Sequence, residues 1–175
     1  MKTKSTHKKQ RPARTAKKTH AIHLQRILVP IDFSDPSKQA LRYAVSFAKH
    51  FNAELLLVYV AEPAVYPPDF SFGQVGIPNL EREMRERGEQ ELQRLIKKHV
   101  AGQVPVRSLI CTGKPFLEIN ETAKQENVDL IIIATHGQTG VEHMLFGGTA
   151  EKVVRRAPCP VLVVRSQERE FIKKG

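Results

Sequence analysis

Residues 131–164 read IIIATHGQTGVEHMLFGGTAEKVVRRAPCPVLVV, and their order decides the fold. An apolar run ends at Ala134, Thr135, His136 and Gly137. A loop punctuated by Gly140, Gly147 and Gly148 follows. A short amphipathic segment over 148–156 and a second apolar run over 161–164 close the stretch. Strand, glycine loop, helix start and strand make one unit of a parallel α/β sheet, and that order commonly cradles a phosphate on backbone N–H groups.

The same alternation runs through the chain on either side. Residues 27–31 are a short apolar run, as expected of a strand buried on both faces. Ser34 or Asp35 then caps a helix with Pro36 near its first position. Ala40, Leu41, Ala44, Phe47, Ala48 and Phe51 recur at helical spacing, and Asn52 is a stop signal. A second strand covers 54–60. Residues 61–79 form a long connection with Pro63, Pro67, Pro68 and Pro78, a length that fits a lid, a partner surface or a partly ordered crossover. Asn79 is placed to cap a helix reaching about Val100, with Leu80, Met84, Leu92, Leu95, Ile96 and His99 along its apolar stripe. Gly88 stands inside that helix at a cost in stability. A third strand runs over 104–110, Pro115 opens a third helix ending at Asn127, and a fourth strand spans 128–135. The resulting βαβαβαβαβ order predicts parallel pairing, right-handed crossovers and helices on both faces.

Composition narrows the class. A chain of 175 residues, 41% hydrophobic, suits one domain, expected over 25–166 between a basic tail at 1–24 and a polar tail at 167–175. No apolar run approaches the length of a membrane span, and the charged N-terminus has no signal-peptide core. Cys111 and Cys159 make no disulfide framework and fit a reducing, cytoplasmic setting. Of the +10 net charge, eight positive charges fall within residues 1–23, which hold no acid, so the remainder is nearly neutral. Such a tail is expected to be disordered. It reads as a solubilising extension or, alternatively, as an electrostatic contact for nucleic acid.

In an open α/β sheet, ligands bind beyond the carboxyl ends of the strands where the strand order reverses. Two strand ends here depart from ordinary connections: Pro30-Ile31-Asp32, and the glycine loop after the fourth strand. An aspartate at such a cleft accepts hydrogen bonds from a nucleoside, although Asp32 equally suits a turn that caps a helix. The glycine loop offers N–H groups to phosphates, with the positive end of the following helix beside it, although four glycines also suit a merely flexible loop. The standard phosphate motifs are absent. Gly113-Lys114 has Ser108 where a Walker A loop needs glycine, and no G-x-G-x-x-G follows the first strand. His136 and His143 have no metal-ligand spacing, and no nucleophile–base arrangement is apparent, so no metal site and no enzyme activity are expected.

Residues 27–34 (ILVPIDFS), 57–60 (LVYV) and 129–164, above all APCPVLVV at 157–164, closely resemble the universal stress protein family over about residues 25–165. The resemblance implies a Rossmann-like five-stranded parallel sheet of order 3-2-1-4-5 with helices on both faces, and a homodimer joined through the last strand, Val161, Leu162, Val163 and Val164. It implies a regulatory stress-response module that binds ATP, or AMP or ADP, with Mg possible alongside ATP, and that works through a protein partner. By the same resemblance Asp32 holds the ribose or base side; Pro30, Ile31, Val60, Ile133 and Ala134 surround adenine; Gly137, Gly147, Gly148, Thr149 and Ala150 line the phosphates. Nucleotide-binding members carry G-x2-G-x9-G-(S/T). This chain keeps the spacing but places Ala134 at the first glycine and Gly148 at the hydroxyl position. An interaction protein of the same fold that has lost nucleotide binding is the alternative. A fast enzyme is not expected, and any ATP hydrolysis would be slow.

Overall fold

The computed structural model describes residues 22–62, 77–137, 147–165 and 172. Nine elements follow in order: β1 (Arg26–Pro30), α1 (Asp35–Phe51), β2 (Glu54–Ala61), α2 (Ile77–His99), β3 (Val106–Thr112), α3 (Pro115–Gln125), β4 (Leu130–Ala134), α4 (Gly148–Arg156) and β5 (Val161–Val164). The strands form one parallel sheet, as the alternation predicts, in the order β3-β2-β1-β4-β5 that the family resemblance implies. The direction of winding reverses beside β1, whose Ile27 pairs with Leu55 on one side and with Leu130 on the other.

Both faces of the sheet are buried, which explains the unbroken apolar runs. Ile27 and Val29 of β1, Leu55 and Leu57 of β2, and Ile132 of β4 pack with α1 and α2 in one layer. Their sequence neighbours Leu28, Leu56, Val58, Ile131 and Ile133 pack with Ile119 and Ala123 of α3 and Val153 of α4 in the other. Alternation is therefore present in space but invisible in the string, because each face is equally apolar.

The helix ends follow their residue chemistry. Ser34 caps α1, its hydroxyl accepting the Ser37 N–H at 3.2 Å, and Pro36 sits in the first turn. Asn52 closes α1 in the left-handed conformation at φ 55, and its N–H donates to the Ala48 carbonyl. Several predicted boundaries move. Helix α2 begins at Ile77, so Asn79 lies in its first turn and not before it. Strand β3 starts at Val106, because the ladder to β2 begins at the Pro105 carbonyl, which accepts from Leu55. Strand β4 is shorter than 128–135. The Val128 N–H is used to close α3 on the Ala123 carbonyl. The Asp129 carboxylate accepts from the Gln25 and Arg26 N–H groups at 2.7 and 2.9 Å, tying the start of β4 to the start of β1.

The expectations for most of the 1–24 tail, for residues 63–76 of the 61–79 connection, for His143 and for most of 167–175 lie outside the described residues. No helix of the described residues is long and apolar enough to cross a membrane.

Candidate functional site

A cavity of about 370 Å³ opens at the carboxyl ends of β1, β2 and β4, where the winding reverses. All eleven residues named above for the nucleotide line it: Pro30, Ile31, Asp32, Val60, Ile133, Ala134, Gly137, Gly147, Gly148, Thr149 and Ala150. Its volume lies within the range of small-molecule clefts, and its walls combine apolar side chains with a few polar groups, as such clefts do.

The β1 wall is built by a tight turn. The Ile31 N–H donates to the Val58 carbonyl at 2.8 Å, extending β1 toward β2. Asp32 follows, half-buried. Its Oδ1 accepts both the Ser34 N–H at 3.1 Å and the Ser34 hydroxyl at 2.6 Å. The same Ser34 caps α1, so the carboxylate is oriented by the group that starts the helix. Between them Phe33 adopts a left-handed backbone at φ 65, a conformation unusual for an aromatic residue.

The β4 wall reaches the cavity through Ala134, Thr135, His136 and Gly137. Thr135 is buried, and its N–H donates to the Val164 carbonyl at 3.0 Å. Its hydroxyl lies 3.0 Å from His136 Nδ1. A Cβ at Gly137 would collide with Asp32 Oδ2, so the absence of a side chain there lets the two strand ends close on each other. A Cβ at Gly147 would lie 3.0 Å from the Thr135 carbonyl oxygen, the atom that accepts the Gly147 N–H at 2.7 Å. Both glycines serve close approach. Neither is among the positive-φ residues, nor is Ala134. Alanine at the first glycine position therefore costs the backbone no strain.

The third wall is the start of α4. Gly147 is its N-cap, in extended conformation and with no side-chain cap. The first N–H groups of a helix have no carbonyl partner within it, and here residues 148–150 line the cavity. Around Gly148 a Cβ would meet nothing within 4 Å among the described residues. This end of the site is a ready anion seat, formed from backbone dipoles.

Further lining residues escaped sequence reasoning. Pro115 and Ile119 come from α3, and Met84 from α2. These helices are carried over the sheet by crossovers, and residue spacing gives no sign of their approach. Val58, Tyr59 and Glu62 extend the β2 wall, Ser37 adds α1, and Thr135 and His136 complete β4. Strand-end position alone was the available signal for Thr135 and His136. The lining holds the carboxylates Asp32 and Glu62, and contains no Lys or Arg among the described residues.

Elsewhere, Cys111 Sγ lies 3.7 Å from the Thr122 hydroxyl. Burial, and then the Asp129 charge, push the Cys159 thiol above its ordinary range, which disfavours the reactive thiolate. No group of three metal-ligating side chains occurs among the described residues.

The family model that matches this chain is that of the universal stress protein family, over residues 23–165. Universal stress protein MJ0531 of Methanocaldococcus jannaschii is 33% identical over 152 residues, covering 83% of this chain and 85% of its own. The solved structure of universal stress protein UspA from Lactobacillus plantarum is 28% identical with a TM-score of 0.72, covering 83% of this chain and all of that one. Two more distant structures share the fold. A universal stress protein in complex with cAMP is 24% identical with a TM-score of 0.54, over 82% of this chain and 98% of its own. An Arabidopsis thaliana family protein with AMP bound is 18% identical with a TM-score of 0.56, over 81% and 91%.

Proposed function

The chain belongs to the universal stress protein family, and on that premise we propose that its cleft binds an adenine nucleotide, ATP above all, and that the protein acts as a ligand-controlled regulatory module. The observation that carries this is the convergence of the Asp32 carboxylate, the Gly137 backbone and the uncapped start of α4 on one cavity. The bound cAMP and AMP of the two distant relatives agree in ligand class. Asp32 accepts a ribose hydroxyl. Pro30, Ile31, Val60, Ile133 and Ala134 pack on the base. Gly137 and residues 147–150 present N–H groups to the phosphates. We assign no catalytic residue, and place the protein in the cytoplasm.

With no Lys or Arg among the described lining residues, a triphosphate is proposed to rely on backbone dipoles and on the Mg²⁺ that ATP carries. Calorimetric titration of the full chain is expected to show saturable ATP binding that weakens about tenfold or more on chelation of Mg²⁺, on the scale of one lost charged contact, while AMP binding changes less. Absence of saturation at millimolar ATP and AMP overturns the nucleotide reading and leaves the alternative, an interaction protein of the same fold. Equal response of ATP and AMP to chelation overturns the role given to the metal.

The same reading includes a homodimer. Strand β5 is at the sheet edge, and no strand pairs with its outer side among the described residues. Val161, Leu162 and Val163 are only half-buried there. An apolar edge of this kind is an aggregation hazard unless covered, and a second copy covers it by a two-fold axis. Val163→Lys is expected to convert a dimer to a monomer in sedimentation velocity. A wild-type chain that sediments as a monomer sinks the dimer without touching the nucleotide site.

A further inference from the structure

Phe33 follows the site's carboxylate with φ 65, a backbone that an aromatic residue keeps only where its surroundings hold it. Its ring packs on Tyr59 of β2, with centroids 5.0 Å apart and planes at 39°, inside the attractive range of aromatic pairs. Tyr59 is packed in turn against the backbone of α2. A Cβ at Gly88 would fall 2.5 Å from both Cδ1 and Cε1 of that ring, so a side chain at 88 and the Tyr59 ring cannot both occupy their places. Gly88 is buried in the middle of α2, where glycine weakens a helix. Its presence there is explained by the ring it admits.

We propose that Gly88 is a positioning residue for the site: it seats Tyr59, Tyr59 seats Phe33, and Phe33 fixes the turn that aims the Asp32 carboxylate. The effect on affinity rests on the nucleotide reading, whereas the state of the turn is measured without ligand. The Ser34 N–H donates to Asp32 Oδ1, so its hydrogen exchange reports whether the carboxylate is in place.

In Gly88→Ala the Ser34 amide is expected to exchange about tenfold faster, the scale of one hydrogen bond to a charged acceptor, while the amides of β4 exchange as in wild type. Unchanged Ser34 exchange overturns the proposal, as does a uniform rise across the sheet, the mark of a merely weakened fold. Phe33→Gly serves if the alanine variant fails to fold. Glycine adopts φ 65 without strain, so the chain folds without the ring, and Ser34 is again expected to lose protection; a protected Ser34 overturns the proposal. A double-mutant cycle adds the link to binding. Gly88→Ala is expected to weaken ATP binding about tenfold in the wild-type background and negligibly in Asp32→Ala. Equal weakening in both backgrounds overturns the route through Asp32. If wild type binds no nucleotide, the nucleotide reading falls and the exchange experiment still decides.

Discussion

Alanine at position 32 is expected to weaken ATP binding by about 10- to 150-fold, the equivalent of about 1.5–3 kcal/mol for a hydrogen bond to a charged group. The carboxylate is half-buried at the cavity wall, and its Oδ1 is engaged by both the N–H and the hydroxyl of Ser34. Rotamer freedom is therefore spent before the ligand arrives, and a ribose hydroxyl meets an acceptor already oriented. The variant has a second effect. Ser34 caps α1 and donates to Asp32, so losing Asp32 removes the bonds that hold the cap and also lowers fold stability. Thermal unfolding separates the two effects, because a folded variant that binds poorly has lost a contact and not its structure. Asp32→Asn sharpens the separation. Its carbonyl oxygen still accepts from Ser34, so the turn and the melting temperature are kept while the charge is lost, and an intermediate affinity is expected. Titration of the three proteins with ATP decides: alanine binding within twofold of wild type would reduce Asp32 to a turn residue and remove the main support for a nucleoside subsite.

How far the sequence discloses this site depends on which force places each residue. Strands β1, β2 and β4 are legible because burial on both faces demands continuous apolar runs, and the α1 start is legible because Ser34 and Pro36 are local signals. The start of β3 is not, since Val104 is buried as fully as a strand residue although Pro105 keeps it out of the ladder. Phe33 is harder still: a left-handed aromatic residue carries no local propensity for its conformation and is held by Tyr59, twenty-six positions on. Met84, Pro115 and Ile119 reach the cavity by crossovers, so their role is set by tertiary packing alone. The glycines show a subtler gap. Their spacing suggests room for phosphate, yet Gly137 and Gly147 are required first by the protein's own atoms, Asp32 Oδ2 and the Thr135 carbonyl. Gly88 repeats the lesson on another helix, reading as a local cost and acting as a contact with Tyr59.

Gly148 is the exception, and serine there is expected to tighten ATP binding by about 10- to 150-fold. It occupies the position where the family pattern carries a hydroxyl, and among the described residues no atom lies within 4 Å of the place its Cβ would take. It is the first residue of α4, after an extended Gly147 at φ −67 and ψ 148, and it is not among the left-handed residues. A side chain therefore enters without strain, and the unfolded chain loses freedom, which adds about 0.4–1 kcal/mol of stability. On the proposed nucleotide reading the new hydroxyl would stand at the start of α4, beside the phosphate, and would donate to it. Gly147→Ser is the matched control. Its Cβ would press on the Thr135 carbonyl at 3.0 Å, so the same added hydroxyl is expected to weaken binding or leave it unimproved. Competition titrations on the two variants and wild type separate three outcomes. A gain confined to position 148 means that this chain keeps the cradle and lacks one donor. Binding that first becomes measurable in Gly148→Ser means that the natural chain works as an interaction module without nucleotide. A loss at 148 means that the bare backbone there is itself the contact, and that the missing hydroxyl never limited affinity.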